Sequence, residues 1–256
     1  MNLVKGGHHM KKAIVTGASK GLGAAVANHF IKNGIEVTDV SRSENSGLKG
    51  HQHYHHEKVD LGVTDEAVSF LEGWFHEQPE DLEKLYLIQN AGTVQPMETV
   101  GKMDAEAIEK TIQLNYVTPV VLSNLAFQLA SEQKVELVIV NITSGAANKP
   151  NHGWSVYGST KAALNLFTET AALEQGGEGH KMISFSPSIM DTGMQEEIRS
   201  AKQDSFAQVE AFKEYKEQGK LRKPEEVGEV LVNILLGERL INGKLYHIND
   251  YLPSTK

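Results

Sequence analysis

TGASKGLG, running from Thr16 to Gly23, decides the fold, because KAIVT (Lys12–Thr16) before it reads as a short buried strand and Leu22–Asn33 after it reads as a helix. Leu22, Ala25, Val26 and Phe30 give that helix one apolar stripe, and Gly34 stands where a chain leaving a helix favours glycine. A glycine-rich turn between a strand and a helix can bend tightly, let backbone approach a pyrophosphate, and aim a helix N-terminus at its charge. Gly17, Ser19, Lys20, Gly21, Leu22 and Gly23 are therefore the first candidate ligand-binding residues.

Outward from this turn the chain keeps alternating. Strands are expected at Ile35–Val40, Gln52–Val59, Leu85–Gln89, Val135–Ile142, Met182–Ser186 and Lys244–Ile248, with helices at Asp65–Glu77, Asp104–Ser131, Ser155–Glu174 and Pro224–Gly237. Alternation of this kind implies right-handed crossovers and an α/β fold: one Rossmann-type, doubly wound parallel sheet of about seven strands with helices on both faces. No repeat or linker divides it, so residues 11–256 read as one domain. Residues 1–10, MNLVKGGHHM, lack periodicity and read as a disordered lead or expression scar.

Composition narrows the function classes. The 256 residues are 40% hydrophobic and 23% charged, which suits one sizeable core. A formal net charge of −8 with no long basic run argues against nucleic acid or an anionic membrane as partner. With no cysteine there is no disulfide, thiolate nucleophile or zinc–sulfur site. No apolar run reaches the ~20 residues of a membrane span, and a cytoplasmic protein acting on a small molecule is expected.

In a doubly wound sheet ligands bind at the carboxyl ends of the strands. A carboxylate at the tip of the second strand would bind an adenosine ribose and repel a 2′-phosphate, but here Asp39 lies earlier in the strand and the tip is Ser41 followed by Arg42. The guanidinium fork of Arg42, with Lys20 adding a point charge on the same side, favours NADP(H) over NAD(H). Further along, Ser144 in NITSG precedes Tyr157 and Lys161 in YGSTK. Four positions apart on a helix, Tyr157 and Lys161 share a face. A nearby ammonium would draw the phenol, pKa ~10 when free, toward useful acid–base strength, while a strand-end serine holds a substrate oxygen.

These motifs, in this order, resemble the short-chain dehydrogenase/reductase family from Lys11 to about Leu252, together with VDL (Val59–Leu61), NAG (Asn90–Gly92) and Asn115 in QLNYV. The resemblance implies that Asp60 and Leu61 flank an adenine, that Asn90, Ala91 and Gly92 adjoin the cofactor, and that Asn115 completes a proton relay with Lys161 through water. It makes Tyr157 the acid that protonates a carbonyl oxygen and gives Lys161 the nicotinamide ribose. Pro187, Ile189 and Thr192 would line the nicotinamide end. The family usually has glycine after that proline; Ser188 here would hold a positive φ at a cost of about 1 kcal/mol. NITSGAA, GWSVYGSTKAALNLFT and ISFSPSIMDTGMQEEIR resemble the sepiapterin-reductase-like branch, and within it bacterial reductases of bulky 1,2-diketones of the benzil type. Trp154, Met190 and Met194 could line a pocket for aryl groups or simply pack in the core.

Gln195–Leu221 is polar, with Phe206, Val209 and Phe212 on one side, and reads either as a substrate lid spanning about 189–221 or as a solvated helical excursion. Small and apolar residues on Asp104–Ser131 and Ser155–Glu174, which the family pairs across a two-fold axis, suggest a homodimer, with a tetramer open. HQHYHH (His51–His56) falls on the third strand. Histidines two apart on a strand stand ~6.6 Å from each other in a line, which suits an edge strand better than a tetrahedral metal site, so no metal is expected. An NADPH-dependent carbonyl reductase is the leading reading. A non-catalytic NADP-binding regulator should have lost Tyr157 or Lys161, and a histidine-based metal hydrolase would need convergent ligands.

Overall fold

The computed structural model describes residues 10–175, 179–237 and 239–253. Seven parallel strands form one sheet in the order β3-β2-β1-β4-β5-β6-β7: β1 (Met10–Thr16), β2 (Glu36–Ser41), β3 (Tyr54–Lys58), β4 (Leu82–Gln89), β5 (Glu136–Ile142), β6 (Lys181–Ser186) and β7 (Leu245–His247). The chain winds outward one way from β1 through β3 and the other way from β4 through β7, so the strand order reverses between β1 and β4. That reversal opens a crevice above the carboxyl ends of β1 and β4. Met10 belongs to β1 and not to the expected lead, since its backbone pairs with Leu82; residues 1–9 lie outside the described residues.

The helices follow from their stripes. In α1 (Gly21–Lys32) the expected Leu22, Ala25, Val26 and Phe30 are all buried. The helix closes as anticipated, with Gly34 at φ 74° and the Gly34 and Ile35 amides donating to the Ile31 and Phe30 carbonyls at 2.9 and 3.1 Å. α2 (Thr64–His76) and α8 (Pro224–Gly237) also stand where periodicity put them. One core layer joins α1 and α8 to the sheet through Phe30, Tyr86, Phe185, Leu231 and Tyr246; the other face packs Leu71, Phe75, Phe127 and Met182. Among the described residues no helix is long and apolar enough to cross a membrane.

The helix expected over Asp104–Ser131 is three pieces: α3 (Ala105–Ile112), a π-helical turn (Gln113–Val117) and α4 (Thr118–Gln133). Asp104 caps α3 by accepting from the Ala107 amide at 3.0 Å, and the wide turn falls on the segment carrying Asn115. Such turns often sit at functional sites, and periodicity alone does not reveal them. Two short helices, α6 (Gly193–Arg199) and α7 (Val209–Glu217), occupy the polar segment after β6.

Candidate active site

The glycine turn is pinned from several directions. Gly17 (φ 69°) and Gly21 (φ 61°) adopt backbone that other residues resist, and a methyl group on Gly23 would stand 2.4 Å from the Gly17 carbonyl oxygen. Asn90, at the end of β4, donates through Nδ2 to the Thr16 and Gly17 carbonyls at 3.0 and 3.2 Å. The Asn90 and Ala91 amides donate to Thr16 Oγ1 at 2.9 and 3.0 Å. No side chain caps the start of α1, and its first turn holds no acidic residue. Its amide groups therefore face the crevice, and the cradle fits the pyrophosphate of a dinucleotide. Leu22 contributes only backbone there, because its side chain is in the core.

On the adenosine side, Ser41 is buried and donates its hydroxyl to the Ser43 carbonyl at 2.9 Å, whereas Arg42 is exposed. Asp60 is exposed and forms a local turn, accepting from the Gly62 amide at 2.9 Å; Leu61 is buried. The Lys20 ammonium lies 3.6 Å from where a Gly193 side chain would begin. It is placed toward the start of α6, which corrects the expectation that it adds charge on the Arg42 side. Thr192 caps α6, and its methyl faces Gly21, closing the far wall of the crevice. Ser188 holds φ 62°, so the residue standing for the expected glycine does occupy the left-handed region.

The catalytic candidates converge on α5 (Ser155–Glu174) and the end of β5. Gly158 lets α5 sit against the Gly145–Ala147 turn, since a methyl group there would meet the Ala146 carbonyl oxygen at 2.9 Å. That contact brings Tyr157 onto Ser144, whose hydroxyl hydrogen-bonds the phenol and also accepts from the Ala146 amide at 3.2 Å. Lys161 donates to the Ile142 carbonyl at 2.8 Å, and burial lowers its pKa to about 8. Burial raises the Tyr157 pKa, and the Ser144 hydrogen bond opposes the shift only in part. The phenol is thus held in its neutral, proton-donating form, where an ammonium-lowered pKa was expected. Asn115 holds its side chain on Thr93, accepting from the amide at 2.9 Å and donating to the carbonyl at 2.8 Å, and it donates to Thr160 Oγ1 at 3.3 Å. Gly92 allows the close approach of Asn115 and Lys161.

Of the aryl-pocket candidates, Trp154 is buried in an aromatic cluster, with ring centroids 4.6 Å from Phe206, 5.3 Å from Tyr157 and 5.6 Å from Phe212. Ile189 and Met194 pack against the same cluster, while Met190 packs against the α1–α8 core and pairs with Arg222. Gln195–Leu221 is fastened over the site by Phe206, Val209 and Phe212, all buried.

One group escaped the sequence reading. Asp39, set aside there, accepts from the Ala18 amide at 3.1 Å and from the Tyr54 hydroxyl at 2.8 Å. Tyr54 Oη accepts from the Asn45 amide at 3.0 Å, and Asn45 Nδ2 donates to the Ala18 carbonyl at 2.9 Å. The Ala18 peptide is held at both ends by one closed network. The only hint in the sequence was a carboxylate inside a buried strand, which requires partners. The neighbouring histidines act separately: His55 faces Glu36 at 3.7 Å, and His56 Nε2 lies 3.1 Å from the Ser41 carbonyl on the edge strand β3.

Known proteins match this arrangement. The short chain dehydrogenase family model matches residues 11–203. Benzil reductase ((S)-benzoin forming) of Bacillus subtilis is 38% identical over 246 residues, covering 95% of this chain and 100% of that protein. The protein of the same name from Bacillus cereus is 32% identical, covering 94% and 100%. The short chain dehydrogenase/reductase YIR035C of Saccharomyces cerevisiae superposes with a TM-score of 0.81 at 27% identity, over 94% of this chain and 97% of that one.

Tyr54→Phe removes the hydroxyl that joins Asp39 to Asn45. It is expected to raise the dinucleotide KM about 10-fold, the worth of one buried hydrogen bond, with kcat changed less than about twofold. Steady-state kinetics with varied cofactor checks this, and an unchanged KM would show that the network does not hold the turn.

Proposed function

The chain belongs to the short chain dehydrogenase family, and from that premise we propose that it is an NADPH-dependent carbonyl reductase acting on bulky 1,2-diketones of the benzil type, giving the (S)-hydroxyketone. The observation that carries this reading is the buried Tyr157 one helical turn from Lys161, on the helix that packs against the turn after Ser144 and beside the glycine cradle. When bound, the nicotinamide supplies hydride to the carbonyl carbon. Tyr157 donates its proton to the carbonyl oxygen, and the Ser144 hydroxyl donates a hydrogen bond to that oxygen as negative charge builds. Lys161, fixed by the Ile142 carbonyl, places a cation beside the phenol once its proton has left. The names of the two Bacillus relatives support the diketone assignment, and the aromatic cluster around Trp154 supports an aryl-bearing substrate.

We assign cofactor choice to Arg42, whose exposed guanidinium follows the β2 tip while Asp39, the carboxylate of β2 nearest that tip, is buried and engaged. The protein is further proposed to act in the cytoplasm as a homodimer through the outer faces of α4 and α5, where Leu166 and Leu173 are 66% and 85% exposed.

Benzil is expected to drive NADPH oxidation followed by absorbance, with chiral analysis giving (S)-benzoin. Turnover only with other carbonyls would move the substrate class and keep the reductase. Tyr157→Phe should lower kcat at least ~10²-fold at unchanged cofactor affinity, as for loss of a positioned acid; retained turnover would remove Tyr157 as donor. Arg42→Ala should reduce NADPH kcat/KM about 10-fold or more with NADH little changed, since it deletes a charge-assisted contact; equal losses would contradict the assignment. Sedimentation should give a dimer that Leu173→Glu dissociates, whereas a monomeric parent protein excludes the interface.

A further inference from the structure

Beneath α5 lies a layer of buried polar atoms that no side chain satisfies. Asn141 and Ser184 are register partners on β5 and β6, and strand alternation carries Thr143 and Ser186 to the same face. Asn165, on the inner side of α5, lies over them, and all five residues are at least nine-tenths buried. Thr168, one turn further on, accepts from Asn141 Nδ2 at 2.9 Å, which fixes helix against strand. Yet Asn141 Oδ1, Thr143 Oγ1, Asn165 Oδ1, Ser184 Oγ and Ser186 Oγ have no hydrogen-bond partner among the described residues. Native interiors pair such groups with protein or with bound solvent, so five in one layer mark a site.

We infer that this layer binds internal water, which bridges α5 to β5 and β6 behind Lys161. The donor set selects the ligand. Two amide oxygens can only accept, three hydroxyls can donate or accept, and water offers both roles. At about three bonds per buried water, roughly two molecules serve the five atoms. A metal ion fits poorly, because the set contains no carboxylate and the Lys161 ammonium binds the carbonyl of Ile142, between Asn141 and Thr143. The layer therefore ends at the residue that holds the lysine, and water at Thr143 keeps that carbonyl in place. Lys161 is positioned from behind by solvent that never meets the substrate.

Thr143→Val keeps the shape and deletes the hydroxyl, and Ser184→Ala does so away from Ser144. If the hydroxyls bind water, each variant lowers Tm by about 2–4 °C, the shift expected for one such bond in a chain of this size. If they are dry and unpaired, removing them raises Tm, which overturns the proposal. A high-resolution crystal structure of the whole chain should show water about 2.7–3.2 Å from at least three of the five oxygens. Direct closure of the side chains on one another, or a metal ion in their midst, overturns it equally. The link to Lys161 rests on the proposed reaction and has its own readout. Ser184→Ala should lower kcat several-fold at unchanged KM, with Ser184→Thr restoring it, and an unchanged kcat removes that link while the thermal and crystallographic results stand apart from it.

Discussion

A single missing methyl group organises the crevice. The Gly23 position stands so close to the Gly17 carbonyl that no side chain fits, and this proximity folds the β1–α1 turn back on itself. Everything that faces a dinucleotide is referred to that turn: Asn90 bonds its carbonyls from β4, and Asp39 and Asn45 grip the Ala18 peptide from the other side. A turn built of small residues has little stiffness of its own. Its rigidity comes from polar side chains on three surrounding segments, Asp39 and Asn45 buried and Asn90 partly so.

The same reliance on neighbours governs the proton donor. Burial pushes Tyr157 and Lys161 toward their neutral forms, raising one pKa and lowering the other to about 8. For a reductase the two shifts differ in consequence. A neutral phenol is the state that can give a proton, so desolvation poises the donor. A lysine near neutrality is a weaker stabiliser of the phenolate left behind, and the Ile142 carbonyl counteracts this by accepting from the ammonium. The aromatic cluster of Trp154, Phe206 and Phe212 roofs the donor and keeps it dry.

Much of the fold was legible because it rests on periodicity. The stripe of α1, the Gly34 stop and the alternation of strand and helix each have a local cause that composition of the segment reveals. The π turn at Gln113–Val117 was not legible, since wide turns have no residue signature, whereas Phe206, Val209 and Phe212 gave the polar segment after β6 a weak helical pattern. In the site, Ser144, Tyr157 and Lys161 were found by spacing, and the structure gathers them. Lys20 was misplaced because sequence distance along a loop says nothing about the direction of a side chain, and of the two readings open for Met190 the structure shows the packing one. Ser188 was read correctly as a residue under backbone strain, its φ of 62° following from the glycine it stands for.

Asp39 exposes the limit of reading charges by position. By rank along β2 it falls short of the tip, which argued that it does not meet the ribose, and its burial agrees. What rank could not supply was the reason a carboxylate persists inside a strand at all. Burial raises its pKa, while Tyr54, Ser41 and the Ala18 amide oppose that shift by hydrogen bonding. The histidine-rich strand thus contributes through Tyr54 at its start, whose hydroxyl ties the carboxylate to the loop that follows β2. With Asp39 engaged below, it is not available at the β2 tip, where Arg42 is exposed. Turn rigidity thus draws on a carboxylate placed two positions short of the end of β2, on the underside of the glycine turn.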